Sequence, residues 1–192
     1  MAHKTASFQA LKATTLDGKV IDASTFPNPA GAVVFLIRRM GCPLCREEAL
    51  SLSGLKPKLD ARGIRLIGIA GEHLGHEEFR KDFWKGELYF DLGKKTWYPL
   101  MGDGKTPTNT FMGIFSYLCG GTVAKNLRRV NSKGIQGNLA GEGTILGGVW
   151  VVGPGSQGII FEHREKSWGD NVCVSNMEDL EKAINSIKSP TM

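Results

Sequence analysis

Two nearly continuous apolar runs, AVVFLIRR at 32–39 and IRLIGIA at 64–70, bracket a stretch of helical periodicity, and nothing else in the chain restricts its fold as tightly. A strand with one wet face alternates apolar and polar side chains. An unbroken run instead marks a strand buried on both faces, as in a parallel sheet covered by helices. Between the runs, Leu44, Leu52, Leu55 and Leu59 fall on roughly one side of a helix from Pro43 to Arg62, kinked at Pro57 and ended by Gly63. A short helix over 76–85 and a strand ELYFD at 87–91 extend the order to βαβαβ, whose crossovers pair the strands in parallel.

The flanks add antiparallel signals. Residues 7–24 alternate around Asp17-Gly18, a two-residue hairpin signal, so an N-terminal β-hairpin is expected. TILGGVWVVG and GIIFEHRE flank PGSQ as a second hairpin, and Ser175 with Glu178 forms a capping box that opens a final helix over 176–188. GPGSQG at 153–158 satisfies G-x-G-x-x-G literally, but it leads into a strand, so no helix N-terminus is offered to a phosphate and the segment is a turn. Residues 102–143 are glycine-rich, weakly periodic and hard to read. The sum is an α/β chain with a mixed central sheet and helices on both faces. At 192 residues, 41% apolar, it is expected to form a single domain over 1–192.

Twenty-four Lys and Arg against nineteen Asp and Glu give +5, spread along the chain, which argues for solubility and against a nucleic-acid partner. No stretch approaches the roughly 20 apolar residues of a membrane span, and the N-terminus has no secretory h-region, so a cytoplasmic location is expected.

The chemistry concentrates in RRMGCPLCREEA, 38–49. Cys42 is expected at the helix N-terminus, with Pro43 in the first helical position, where its missing N–H costs nothing. The helix dipole and the neighbouring Arg38, Arg39 and Arg46 favour a thiolate there, so Cys42 is the candidate nucleophile, with Arg39 and Arg46 as thiolate-stabilising groups. Cys45, three residues on, lies on the same face and is the candidate resolving thiol. Two other readings stay open: a pair of buried, inert thiols, and a metal site completed by His73 and His76. The expectation is that no metal is bound. Cys119 and Cys173 read as packing residues, with Cys119 a second candidate resolver, and His163, Arg164 and Glu165 as a solvated strand end. Trp84, Phe83, Trp97 and Tyr98 read as packing aromatics.

These residues, together with GIQGNLAGEGTILGGVWVVG at 134–153 and GIIFEHREKSWGD at 158–170, resemble the peroxiredoxin-like 2 family, thioredoxin-fold relatives of the alkyl hydroperoxide reductase/thiol-specific antioxidant group. The likeness extends over most of residues 7–188. It implies a thioredoxin-like fold and a cytosolic thiol oxidoreductase or antioxidant activity carried by Cys42 and Cys45. No cofactor would be bound, and electrons would come from NADPH through a thioredoxin-type reductant. The implied substrate is a small-molecule peroxide or a protein disulfide. One branch of the family is prostamide/prostaglandin F synthase, which reduces the endoperoxide of prostaglandin H2 to prostaglandin F2α. KGELYFD and GIQGNL resemble that branch, GGVWVVG and EHREKSWGD its redox-regulatory sister, and the resemblance does not decide between them.

Typical peroxiredoxins carry Thr or Ser three residues before the attacking cysteine and Arg just before a late strand; the corresponding positions here are Arg39 and Gly147. Loss of one donor to a developing charge costs on the order of 3 kcal/mol, so hydrogen peroxide is expected to be turned over at least about tenfold less efficiently than a bulkier endoperoxide or a disulfide. The alternative function is a non-catalytic redox-sensing or partner-binding module whose disulfide state alters a surface such as the apolar stretch 111–124.

Overall fold

The computed structural model describes residues 12–94, 100–101, 115 and 118–188. Seven strands form one sheet: β1 (Lys12–Thr14), β2 (Val20–Asp22), β3 (Ala32–Ile37), β4 (Arg65–Ala70), β5 (Glu87–Phe90), β6 (Gly148–Gly153) and β7 (Gly158–Arg164), in the order β2-β1-β5-β4-β3-β6-β7. Strands β3, β4 and β5 are parallel, while β1, β6 and β7 join antiparallel, so the sheet is mixed. The described helices are α1 (Pro43–Gly54), α2 (Lys56–Asp60), α3 (His76–Asp82), α4 (Thr122–Ser132), α5 (Val172–Ser175) and α6 (Met177–Asn185).

The period-2 rule explains why the apolar runs are unbroken. On β3, Val33, Phe35 and Ile37 enter one core, with Leu52 of α1, Phe79 of α3, Val130 of α4 and Ile184 of α6. The alternate residues Ala32, Val34 and Leu36 enter a second core on the opposite face, with Phe26, Leu146, and Leu100 and Met101 in helical backbone. Strand β6 divides in the same way, Val149 and Val151 to the first core, Trp150 and Val152 to the second.

Two local expectations are corrected. The first hairpin closes with Thr15 donating its N–H to Lys19 O, leaving a three-residue loop with Gly18 at φ +84°, the left-handed position such a loop requires, in place of a two-residue turn. The final helix is capped at Asn176, because Ser175 ends the preceding α5 and turns its hydroxyl back to Asn171 O; no capping box forms. Helix α4 lies inside the segment that the sequence left unread. Pro57 enters as expected at a break, the first turn of α2, where the helix begun at Pro43 restarts. Trp97, Tyr98 and residues 111–114, 116 and 117 of the apolar stretch lie outside the described residues.

Candidate active site

Strand β3 ends at Ile37, and the following turn delivers Cys42 to the N-cap of α1, in extended conformation, with Pro43 opening the helix. The carboxyl ends of β3 and β4 therefore frame the dithiol. Both cysteines are free and buried, Cys42 at 3% exposure. Cys119 is exposed and Cys173 half-buried.

Three arginines were expected around the thiolate, and the structure sorts them. Arg38 donates from Nη2 to Cys42 Sγ at 3.0 Å and from Nη1 to Gly143 O at 3.3 Å, and its Nε lies 3.7 Å from Glu165 Oε2. Arg39 is 8% exposed and lines a cavity of about 610 Å³ together with Cys42. Arg46, expected beside the thiolate, spends its donors elsewhere: Nε donates to Met40 O, Nη1 to Gln136 O and Nη2 to Glu78, and the guanidinium sits 4.5 Å above the Phe83 ring. Arg46 thus ties the approach to α1 to α3 and to the segment above it.

The two thiols have opposed environments. The Cys45 thiol donates toward Cys42, and with the charges of Arg38 and Arg39 it holds Cys42 well below the ordinary thiol range, against the opposing effect of burial. The same interaction, burial and the Cys42 charge push Cys45 well above it. The surroundings thus favour the anion at Cys42 and the proton on Cys45.

Glu165, expected on a solvated strand end, is instead buried beside Arg38 and accepts the Gly147 N–H at 2.9 Å. Burial raises its carboxyl, with Arg38 and the Gly147 N–H opposing. Neighbouring His163 is also buried, its Nε2 against Asp170 O and its Nδ1 against the Asn176 amide. Gly147 itself has no room for a longer residue, since a Cβ there would collide with Leu36 O. The guanidinium beside the sulfur comes from the end of β3 instead.

A strap over 136–144 covers the start of α1. Asn138 N–H donates to Gly41 O at 2.8 Å, Glu142 N–H to Glu72, and Lys94 pairs with Glu142. Gly137 passes so close that a Cβ would come within 2.5 Å of Pro43 Cδ and 2.6 Å of Gly41 O. The cavity beside the strap is walled mainly by Leu44, Val123, Leu127, Leu139 and Trp168.

Behind α1, Glu47 binds Arg129 and Lys133 of the α4 region, and Glu48 accepts the N–H groups of Val172 and Cys173. No sequence periodicity announces these buried carboxylates. His73 and His76 pack edge-on against Phe90, and His76 Nδ1 lies 2.9 Å from His73 O. Among the described residues no group of three or more metal-ligating side chains gathers, and no helix is long and apolar enough to cross a membrane.

Comparison with known proteins adds the following. The sequence profile of the AhpC/TSA antioxidant enzyme family matches residues 51–167, beginning just after the dithiol. Peroxiredoxin-like 2A of Bos taurus is 42% identical over 177 residues, spanning 91% of this chain and 76% of that protein. Peroxiredoxin-like 2A of Homo sapiens is 40% identical over 185 residues, spanning 95% and 75%. Among solved structures, peroxiredoxin Q of Xanthomonas campestris superposes with a TM-score of 0.60 over 95% of both chains at 13% identity, a likeness of fold.

Proposed function

The chain belongs to the AhpC/TSA antioxidant-enzyme family and, within it, to the peroxiredoxin-like 2 group, and from that premise we propose that it is a dithiol reductase of organic peroxides in which Cys42 attacks and Cys45 resolves. Thiol oxidoreductase chemistry on a thioredoxin-like fold is common ground for this family. The observation that carries the finer assignment is the opposed pair of thiol environments beside one apolar cavity.

In the first step the Cys42 thiolate attacks a peroxide oxygen. In an endoperoxide it is either one, giving a sulfenate ester whose S–O bond Cys45 later breaks to release the second hydroxyl of the product. In a hydroperoxide it is the one that bears hydrogen, as follows. An S–O bond forms, the O–O bond breaks, and the alkoxide takes a proton and leaves as alcohol. In the second, Cys45 gives up its proton and attacks the sulfenic sulfur. An S–S bond forms, the S–O bond breaks, and water leaves. A thioredoxin-type dithiol, re-reduced by NADPH through its reductase, then opens the disulfide. No cofactor is needed in the chain itself.

The walls of the cavity favour a substrate with an apolar body, so cumene hydroperoxide and prostaglandin H2 should exceed hydrogen peroxide in kcat/KM by at least about tenfold, a gain drawn from remote binding. The test is NADPH oxidation with a thioredoxin system, run over these substrates and a protein disulfide. Cys42→Ser should abolish turnover, and Cys45→Ser should take up one oxidant and accumulate sulfenate or mixed disulfide, read by mass spectrometry. A single stoichiometric oxidation of the wild type without turnover would make the chain a sensor and defeat the proposal.

A further inference from the structure

Arg38 and Arg39 are adjacent in sequence and both buried, yet among the described residues only Arg38 has hydrogen-bond or ion-pair partners. Arg38 is engaged by Cys42, Gly143 and Glu165. The Nε of each is buried without a hydrogen-bond partner. Both Nη groups of Arg38 are engaged, whereas among the described residues no hydrogen bond and no carboxylate engages the Arg39 guanidinium. Its Nη1 lies where a side chain on Gly143 would reach, 3.5 Å away, and the residue lines the cavity with Cys42. Buried cations are normally paired, because an unpaired one forfeits its hydration with nothing in return. A guanidinium held this way is suited to an anion that is present only during the reaction.

The reaction supplies such an anion. In the attacking thiolate the negative charge starts on Cys42 Sγ, the atom to which Arg38 donates. As sulfur attacks, that charge crosses the forming S–O bond and arrives on the departing oxygen, while the Nη donors of Arg38 are already committed to Cys42 Sγ and Gly143 O. On the assumption that Cys42 is the nucleophile, we propose that Arg39 is a catalytic residue that donates to the leaving oxygen of the substrate in the cavity, stabilising the alkoxide as the O–O bond breaks. Arg39 keeps its protons throughout, and the alkoxide is neutralised by water, leaving as alcohol with the oxidised sulfur behind as sulfenic acid. Donors already aimed at developing charge, in a site sheltered from water, are among the strongest catalytic devices.

A leaving-group donor has a signature that a thiolate stabiliser lacks. Cumene hydroperoxide expels a strongly basic alkoxide, which needs the donor; perbenzoic acid, of similar size and also aromatic, expels a carboxylate, which does not. Single-turnover oxidation of Cys42 by each is measured in the wild type, Arg39→Met and Arg39→Lys. Rates are normalised to the thiolate fraction obtained from iodoacetamide alkylation against pH. The expected result for Arg39→Met is a loss of about 100-fold with cumene hydroperoxide and less than about threefold with perbenzoic acid, whose own leaving group carries the charge. Arg39→Lys, which keeps the charge without the planar fork, should show an intermediate loss with the same contrast, and it carries the test if the methionine variant does not fold by circular dichroism. Equal losses with both oxidants, or none, would overturn the proposal while leaving Cys42 as nucleophile. A wild-type Cys42 that neither oxidant modifies would overturn the nucleophile assignment beneath it as well.

Discussion

At the scale of single residues, Arg38 links the charges of the site. It holds the Cys42 sulfur on one side and Glu165 on the other, so a buried anion, cation and carboxylate lie in sequence. Cys42 is therefore expected to titrate below the free-thiol value of about 8.5. Replacing Arg38 with Met should raise its apparent pKa, because it removes both a hydrogen bond and a positive charge from the ionised form. Alkylation rate against pH measures both; a wild-type value at or above the free-thiol range, or no rise in the variant, would contradict the electrostatic account. Part of this constellation was visible in the sequence. Two cysteines separated by two residues, with Pro43 between them and a buried strand before them, place a dithiol at a helix start on local grounds alone. The sorting of Arg38, Arg39 and Arg46 was not visible, since their directions depend on the turn after β3 and on partners as distant as Gln136 and Glu165. Glu165 was missed for a related reason. A His-Arg-Glu sequence at a strand end looks solvated until the register with β6 sets it opposite Gly147.

At the scale of elements, the strap over 136–144 controls access to Cys42 through close backbone packing. Gly137 is required where the strap crosses Pro43 and Gly41 O, and the atoms that a methyl group would meet belong to backbone and a proline ring, which yield little. Gly137→Ala should destabilise the fold by about 1–3 kcal/mol, the usual cost of overpacking. It should also speed alkylation of Cys42 by a neutral reagent, because the strap must lift. Urea unfolding and alkylation kinetics read the two effects separately, and a destabilised variant with unchanged alkylation would show that the strap does not limit access. The strap and α4 both fall in the part of the chain that the sequence left unread. Helix α4 buries Val123, Ala124 and Val130 and packs Leu127 at helical spacing, and it ties Arg129 to Glu47 of α1. Its stripe covers only 11 residues, too short to stand out within the glycine-rich segment around it. The parallel strands were legible because their apolar runs are dictated by two cores at once.

At the scale of the whole molecule, α1 has the unusual task of burying two adjacent carboxylates while presenting the dithiol. Their pH windows differ. Burial works against ionisation of Glu47, but hydrogen bonds from Arg129 and Lys133 win and hold it below its ordinary value, so its contribution to stability fades only in acid. Glu48 goes the other way. Burial raises its carboxyl to about 7 from an ordinary 4.5, with the charge of Glu165 adding to the rise and the hydrogen bonds from Cys173 and Val172 opposing it. A group whose folded pKa lies above its unfolded one binds its proton more tightly in the fold. The stabilisation is complete below the unfolded value of about 4.5 and is lost as pH rises through about 7. Glu48→Gln keeps an acceptor for the α5 N–H groups but cannot ionise, so its stability should depend less on pH. Between about pH 5 and about pH 8 the wild type should lose on the order of 2 kcal/mol relative to the variant. Urea unfolding in the presence of a reductant, repeated across this range, gives the difference directly. Parallel curves would mean that Glu48 stays ionised in the fold at pH 5. In that case the N–H groups at the start of α5 outweigh burial, and α1 carries two permanent negative charges behind its thiolate.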